Sequence, residues 1–216
     1  CGICQDMSNT ARLSVVVPEY RGTHLASVIE AVRVLAPLEV IVVDSSPGGP
    51  TFSAEDVTVV TSPRRLLAGE ARNVGAERAR GGVLLFLDSD VILKKAGLAF
   101  VREFLAEPSG ITCGLYDIER RDEGFLAFLK NHILFYRHLS DVGGIGWGSS
   151  SHFLIEREVY RKIGGFNPYL KSYEDVEFFT RCGKLGHLVR IEPRFEAEHL
   201  KRFSAVSFLV EYFDRA

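Results

Sequence analysis

VLLFLDSD, residues 83 to 90, decides the fold of this 216-residue chain. Five consecutive apolar residues, Val83 to Leu87, are typical of a strand that is buried on both faces of a sheet. Before them, Leu67 to Arg80 has the pattern of a helix. Helix and buried strand in alternation indicate a parallel α/β sheet, in which ligands collect at the carboxyl ends of the strands. Asp88 and Asp90 stand at that end of this strand.

The same alternation extends toward the amino terminus. Leu13 to Val17 (LSVVV), Val40 to Val43 (VIVV) and Val57 to Val60 are predicted strands, and apolar residues from Leu25 to Leu35 recur at helical spacing. Asp44 follows the second strand directly. It is therefore expected at the edge of the sheet that carries the two later aspartates.

The second half of the chain has a less regular pattern, without an internal repeat or a linker. Its predicted elements are helix Ala96 to Glu107, strand Ile111 to Tyr116, helix Phe125 to Leu139, strand Ser151 to Ile155, helix Glu156 to Ile163, helix Tyr173 to Leu185 and strand Leu188 to Ile191.

The composition, 46% hydrophobic and 25% charged, is that of one globular domain. A net charge of -2 gives no basic field for a nucleic-acid backbone, so nucleic acid is not an expected partner. No apolar run of membrane-spanning length and no leader pattern is visible, which predicts a cytoplasmic protein. Cys1 and Cys4 make half a zinc site at best, and Cys113 and Cys182 are expected to be small buried hydrophobes.

In an extended D-x-D, the carboxylates of Asp88 and Asp90 lie on the same side of the chain, spaced to share a divalent cation or its waters. Magnesium or manganese bound by few carboxylates plus phosphate oxygens suits a metal-bound diphosphate. The alternative is that one aspartate caps the next helix or turns the loop. The triplet alone leaves both interpretations open.

Beyond this triplet, the chain resembles a family 2 glycosyltransferase from about residue 13 to residue 199. The motifs that carry the resemblance occur in the order LSVVVPEYR, VIVVDSS, AGEARNVGAERARG, LLFLDSD, IGGF and YEDVEFFTRCGKLG. The resemblance implies a GT-A fold: one α/β domain over residues 13–203, with a Rossmann-like, mainly parallel sheet flanked by helices. Residues 1–12 would be an extension, of which 1–6 are expected to be foreign or upstream, and 204–216 a truncated C-terminal helix.

The resemblance also implies a hexosyltransferase-like enzyme that uses a nucleotide diphosphate sugar. Asp44 would accept a hydrogen bond from a uracil-like base edge, and Arg72 would support the nucleotide or diphosphate, with a solvated helix charge as the alternative. Arg21 replaces the asparagine that is usual after the tyrosine of the first motif, and UDP is favoured over GDP. The other residues implied on the donor side are Pro18, Glu19 and Tyr20 around the base and ribose, and Asp88 and Ser89 at the ribose or a metal-bound water.

For the metal, Mn²⁺ or Mg²⁺, the resemblance makes Asp90 the principal ligand, with Asp88 beside it. His199 falls where many metal-dependent GT-A enzymes supply a histidine, and imidazole suits manganese. The alternative for His199 is a structural or exposed histidine.

Glu174-Asp175 would supply the general base, with Asp175 as the acting carboxylate. In an inverting transfer, this carboxylate removes the proton of the acceptor hydroxyl opposite the leaving diphosphate. Ser172 to Asp175 is also an S-x-x-D pattern, which predicts a capping box at a helix start.

The glycine-rich segment Gly143 to Gly148 would let backbone approach the donor, with Trp147 stacking on a sugar; the alternative is a flexible connector. It does not match G-x-G-x-x-G and no P-loop lysine follows, which disfavours a dehydrogenase or P-loop site. Phe125 to Leu139 is expected to pack in the core. A second interpretation joins it with Ser204 to Phe213 as a surface for a lipid-linked acceptor at the inner face of a membrane.

The principal hypothesis is thus a metal-dependent, inverting glycosyltransferase with an unidentified acceptor. The alternatives are a retaining glycosyltransferase, a nucleotidyltransferase with the same nucleotide cradle, or a non-catalytic module that binds nucleotide sugars or glycans.

Overall fold

A computed structural model describes residues 12–50, 52–117 and 148–200. Within these ranges the helices and strands are, in chain order, β1 (Leu13–Glu19), α1 (Leu25–Arg33), β2 (Glu39–Asp44), β3 (Val57–Thr61), α2 (Ala68–Arg78), β4 (Val83–Leu87), β5 (Val91–Leu93), α3 (Lys95–Ala106), β6 (Ile111–Tyr116), β7 (His152–Glu156), α4 (Arg157–Ile163), α5 (Glu174–Lys184) and β8 (Val189–His199).

The strands form one sheet in the order β3-β2-β1-β4-β7-β6-β8-β5. β1, β2, β3 and β4 run parallel, and β6 runs parallel to β8. β7 is antiparallel to both of its neighbours, and β5 is antiparallel to β8. The predicted α/β domain with a mainly parallel sheet is therefore confirmed. Because β7 runs backwards, its first residue His152 pairs with Leu87 and lies at the carboxyl edge of β4.

The sheet is buried on both faces, as the unbroken apolar strands predict. Along β1, Val15 and Val17 pack in the same core as α1, while Val16 points to the opposite face and packs with α2. Helix α2 approaches strand β1 closely at Gly75, where an added Cβ would collide with Val16. Both helices are thus held against the parallel half of the sheet.

The structure differs from the predicted elements mainly around β5 and β8. β5 has three residues, too few for a periodic pattern to show, and follows the D-x-D directly. β8 was predicted to end at Ile191 but continues to His199, with an irregularity in its pairing to β6 opposite Cys113 to Leu115. Beyond this bulge the strand pairs with β5, which sets His199 opposite Val91.

Several predictions fall outside the described residues: Cys1 and Cys4 in the amino-terminal extension, the helix from Phe125 to Leu139, Trp147 with its glycine-rich segment up to Gly146, and the segment 204–216. Cys113 and Cys182 are buried free thiols, as expected. No helix in the described part of the chain is long and apolar enough to cross a bilayer.

Candidate active site

The D-x-D forms the turn between β4 and β5. The amide of Val91 donates to the carbonyl of Asp88 at 3.1 Å, and the amide of Asp88 donates to the carbonyl of Ser151 on the neighbouring strand at 2.8 Å. The next helix, α3, begins after Lys94, so neither aspartate caps it. The cap interpretation is wrong, while the turn exists and leaves the carboxyl groups half-buried at the carboxyl edge of the sheet.

Arg72 lies beneath this turn and is 2% exposed. Its Nη2 donates to Asp88 Oδ1 at 2.7 Å and its Nη1 donates to Glu174 Oε1 at 3.1 Å. The alternative of a solvated helix charge is therefore wrong. Burial raises the pKa of Asp88 to about 6, against the opposing positive charge of Arg72, and the carboxylates of Asp90 and Glu174 add to the rise.

Asp90 and His199 meet where β5 pairs with the end of β8. His199 Nε2 lies 3.6 Å from Asp90 Oδ2, and the side chains are 15% and 29% exposed, respectively. The ring of Tyr116 stands edge-on to the imidazole, with 5.4 Å between the centroids. The carboxylate oxygen is a ligand that a manganese or magnesium ion accepts, and the imidazole nitrogen at this partly open position suits manganese better than magnesium.

This pair fits a metal ion that takes its remaining ligands from the substrate. In the described part of the chain, no three His, Cys, Asp or Glu residues come close enough together to hold an ion by themselves. The predicted metal ligands Asp88, Asp90 and His199 therefore do not surround one position, because the carboxylate of Asp88 bonds to Arg72. Phosphate oxygens and water would have to provide the remaining ligands, as is usual for Mg²⁺ at diphosphates.

On the other side of the edge, the loops after β1 and β2 are tied together. Asp44 Oδ1 accepts from the amide of Ser46 at 2.8 Å, and the hydroxyl of Ser46 accepts from the amide of Arg21 at 2.8 Å. The amide of Ser45 donates to the carbonyl of Glu19 at 3.1 Å. Asp44 is 2% exposed. The buried carboxylate is thus oriented by the turn that follows it.

Glu19 is buried beside these loops and under Ser89. Its Oε1 accepts from the amide of Gly22, and the carboxylate also bonds the hydroxyl of Ser89. Its Oε2 is buried without a partner among the described residues. Burial raises the pKa of Glu19, and the charges of Asp44 and Asp90 add to the rise, whereas the two hydrogen bonds lower it. Glu19 Oε2 is therefore an unsatisfied acceptor that is closed to solvent in this structure.

Tyr20 is 36% exposed and follows the half-buried Pro18 and the buried Glu19 out of the sheet. The guanidinium of Arg65 lies 4.5 Å from the centre of its ring, and that of Arg21 lies 5.4 Å away. Arg21 has a φ of 55°, in the left-handed region that asparagine adopts more readily than arginine. The sequence prediction did not include Arg65, although its place between β3 and α2 puts it at this edge.

Glu174 and Asp175 open helix α5. The residue before the helix is Tyr173, which has a φ of 61° and provides no side-chain cap. The predicted capping box is wrong because the helix starts one residue later than the S-x-x-D pattern requires. Asp175 Oδ1 instead accepts from the amide of Val176 at 2.8 Å. Burial raises the pKa of Asp175, and the neighbouring Glu174 adds to the rise.

Asn73 ties the A-R-N helix to the G-G-F turn. Its side-chain amide donates to the carbonyl of Phe166 at 2.8 Å, and its Oδ1 accepts from the amide of Phe166 at 2.8 Å and from Tyr160 at 2.6 Å. The ring of Phe166 lies 5.3 Å from the guanidinium of Arg72. Two motifs that are 93 residues apart in sequence therefore form one packed unit.

The sequence prediction missed a buried polar group beside the D-x-D. Ser151 Oγ lies 3.1 Å from His152 Nδ1, and His152 Nε2 lies 3.2 Å from the carbonyl of Phe195. A proton on Nε2 satisfies both contacts, since Nδ1 then accepts from the serine. The ring of Tyr116 lies between His152 and His199, with centroids at 5.3 and 5.4 Å. The one signal in the sequence is the polar run from Ser149 to His152 just before buried residues.

A mainly parallel sheet with this strand order, and with aspartates, a histidine and an E-D helix at one edge, is typical of the GT-A fold. The chain belongs to glycosyl transferase family 2, whose family model matches residues 14–173.

Relatives and solved structures agree with this assignment. An uncharacterized glycosyltransferase of Haemophilus influenzae is 28% identical over 184 residues, which cover 78% of this chain and 61% of that relative. An N-acetylglucosaminyl-diphospho-decaprenol L-rhamnosyltransferase of Mycobacterium tuberculosis is 38% identical over 61 residues, which cover 28% of this chain and 20% of the relative. The chain thus spans about three-fifths of the first relative's length.

The mannosyltransferase PcManGT from Pyrobaculum calidifontis, in complex with GDP-Man and Mn²⁺, superposes with a TM-score of 0.68 at 19% identity, covering 95% of this chain and 65% of that one. TarS from S. aureus superposes with a TM-score of 0.61, also at 19% identity, covering 84% and 58%. At these identities the likeness concerns the fold.

Proposed function

We propose that this chain transfers a sugar from a nucleotide diphosphate to an acceptor hydroxyl, with inversion at the anomeric carbon and dependence on Mn²⁺ or Mg²⁺. The observation that supports the proposal is the proximity of Asp90 and His199, 3.6 Å apart, at the edge that also carries Asp88, Glu174 and Asp175. This edge therefore offers a metal pair and a half-buried carboxylate in one place.

On the donor side, the base and ribose bind in the loops after β1 and β2. Asp44 receives an N–H of the base, and Pro18, Glu19 and Tyr20 surround the base and ribose. The proposed base is uracil. Guanine is the alternative, because PcManGT was solved in complex with GDP-Man. Competition between UDP and GDP decides between them, and tighter binding of GDP excludes the uracil preference.

At the diphosphate, Asp90 and His199 would hold the divalent ion, and Asp88 and Ser89 would order the ribose or a water beside it. When bound, the ion neutralises the charge that develops on the leaving diphosphate. The half-buried setting strengthens this electrostatic stabilisation, since water that would screen it is partly excluded.

The proposed chemical step is a single displacement. The oxygen of the acceptor hydroxyl bonds to the anomeric carbon while the bond from that carbon to the diphosphate oxygen breaks, and the bonding pair leaves with the nucleotide diphosphate. The hydroxyl proton passes to Asp175. Burial raises the pKa of this carboxyl, which makes it a stronger base than an exposed aspartate.

The direct test is donor turnover with a panel of nucleotide sugars, with and without Mn²⁺, followed by determination of the anomeric configuration of the product. Metal-dependent release of nucleotide with inversion is expected. Retention would favour a retaining transferase, and binding without turnover for any acceptor would favour a binding module.

The proposed acceptor is a saccharide linked to a lipid diphosphate, at the inner face of a membrane. This proposal is supported by the rhamnosyltransferase of M. tuberculosis, whose name describes such an acceptor. Flotation with anionic and neutral liposomes tests the peripheral contact. Transfer to a water-soluble sugar in preference to the lipid-linked one would contradict it.

A further inference from the structure

The guanidinium of Arg72 joins two parts of the candidate active site that belong to different elements. One nitrogen donates to Asp88 in the turn between β4 and β5, and another donates to Glu174 at the start of α5. Arg72 itself is on α2. Along the sequence it lies 16 residues from one partner and 102 residues from the other. A single side chain thus connects three elements.

This geometry is not that of a diphosphate ligand. The side chain of Arg72 is 3% exposed, and both terminal nitrogens bond to carboxylates. The third nitrogen, Nε, is buried without a partner among the described residues. No part of the guanidinium is therefore open to a donor that enters from solvent.

Resting on the proposed function, we propose that Arg72 is a positioning residue that holds the D-x-D and the E-D helix at a fixed separation, and thereby aims Asp175 at the acceptor hydroxyl. Glu174 is the connection, because it precedes Asp175 in the first turn of α5. A planar guanidinium can bond two carboxylates at once in fixed directions, whereas a lysine ammonium is a point charge without that geometry.

The setting of Arg72 supports this role. Among the described arginines and lysines it is the one that is buried, at an edge that gathers several carboxylates. The adjacent Asn73 bonds both backbone groups of Phe166, and the ring of Phe166 lies against the guanidinium. The contacts of Asn73 and Phe166 therefore fix the position of Arg72 independently of the two carboxylates that it bonds.

The experiment uses Arg72→Lys and Glu174→Gln in the full chain. Arg72→Lys keeps the positive charge but lacks the planar fork that bonds both carboxylates, and Glu174→Gln keeps the size of the side chain but replaces the charged acceptor with a neutral one. We expect kcat to fall about 100-fold, the loss typical of a misplaced catalytic group, while the Kd for UDP with Mn²⁺ stays within about threefold of the parent. The double variant should lose no more than the more damaged single variant, since both act on the same link.

The matched control is Glu177→Gln. Glu177 pairs with Arg181 on the same helix, 2.7 Å apart, without reaching the D-x-D. This variant should keep the parent's kcat, because it weakens an arginine–carboxylate pair on α5 while Arg181 keeps its own bonds to the carbonyls of Ile163 and Gly165.

A second readout is independent of activity. Hydrogen–deuterium exchange of the peptide that contains Glu174 to Val176 should accelerate in Arg72→Lys and Glu174→Gln, and should not change in Glu177→Gln. If the parent transfers no sugar, the proposed function fails while exchange still tests the link.

Three results would overturn the proposal: a raised Kd for UDP with unchanged kcat in Arg72→Lys, which would make Arg72 a donor ligand; unchanged kcat in both variants; or unchanged exchange in both. If Arg72→Lys does not fold, Glu174→Gln alone decides by the same measurements.

Discussion

The two sides of the carboxyl edge are held by different kinds of contact. On the proposed nucleotide side, the loops after β1 and β2 are joined through backbone amides: Asp44 accepts from the amide of Ser46 two residues later, and Ser46 accepts from the amide of Arg21, 25 residues earlier on the adjacent loop. On the D-x-D side, the side chain of Arg72 bonds Glu174, which is 102 residues away. The first side is thus held by backbone contacts between two adjacent loops, whereas the second depends on one buried side chain that joins distant elements.

This difference indicates which motifs can be interpreted without the contacts they make elsewhere in the fold. A change on the nucleotide side should alter binding with little effect on the rest of the site. A change on the D-x-D side should alter turnover or the stability of the whole domain. The following predictions test this contrast, beginning with the largest effect.

Asp175→Asn should lower kcat about 10³-fold, because an amide cannot take the acceptor proton. The donor Kd should remain unchanged, since the amide keeps the size of the carboxyl and its bond to the amide of Val176. Steady-state kinetics and calorimetry with UDP measure the two quantities. Near-parental turnover would exclude Asp175 as the base.

Asn73→Ala should destabilise the domain by about 3 kcal/mol, because three hydrogen bonds to Phe166 and Tyr160 are lost and their buried groups are left unsatisfied. Ser46→Ala, on the nucleotide side, should cost only about 1 kcal/mol. Urea denaturation of both variants gives the comparison. Equal losses would contradict the contrast between the two sides of the edge.

Asp44→Asn should weaken donor binding about tenfold or more, since a hydrogen bond to a charged group is lost. The amide oxygen can still accept from Ser46, so the loop should keep its shape and kcat at saturating donor should be unchanged. Competition assays with UDP and GDP provide the measurement. A fall in kcat with an unchanged donor Kd would contradict a role of Asp44 in donor binding.

His199→Ala should weaken Mn²⁺ binding about tenfold, a moderate effect because Asp90 and the donor phosphates remain as ligands. Manganese titration, followed by the signal of free Mn²⁺, measures the affinity in the presence of UDP. His187→Ala, in the turn after α5, is the control. The same Mn²⁺ affinity in parent and His199→Ala would exclude the histidine as a ligand.

The pH dependence should show that kcat falls as the pH is lowered through the raised pKa of Asp175, since the base acts only when deprotonated. Protonation of Asp88, whose pKa burial raises to about 6, acts in the same direction because it weakens the bond to Arg72. The acidic limb should therefore lie above the pKa of about 3.9 of an exposed aspartate. A pH profile of kcat tests this, and a limb near pH 4 would contradict it.

Much of the fold was predictable because several of its strands are short runs rich in apolar residues. β1, β2, β4 and β6 lie where these runs predicted them. The bounds of β8 and the existence of β5 were not predictable, because pairing to neighbouring strands, and not periodicity, extends the one and creates the other.

The candidate site was predictable where polar residues follow parallel strands. Asp44 and Asp88 were expected at one edge, and they lie there. The polar group around Ser151 and His152 was missed because an antiparallel strand brings its amino end to that edge. The capping box predicted from the S-x-x-D pattern is wrong because Tyr173 has a left-handed backbone and α5 begins after it, one residue later than the pattern requires.

By itself, the sequence determined the α/β class, the carboxyl edge as the place of the site, and the motifs that belong to the family, because these depend on local patterns and their order. Only the tertiary structure decided that Arg72 is buried between Asp88 and Glu174, and that Asp90 meets His199. Those contacts join different elements of the fold, and their distances are set by the packing of α2 and α5 against the sheet and by the pairing of β8 with β5.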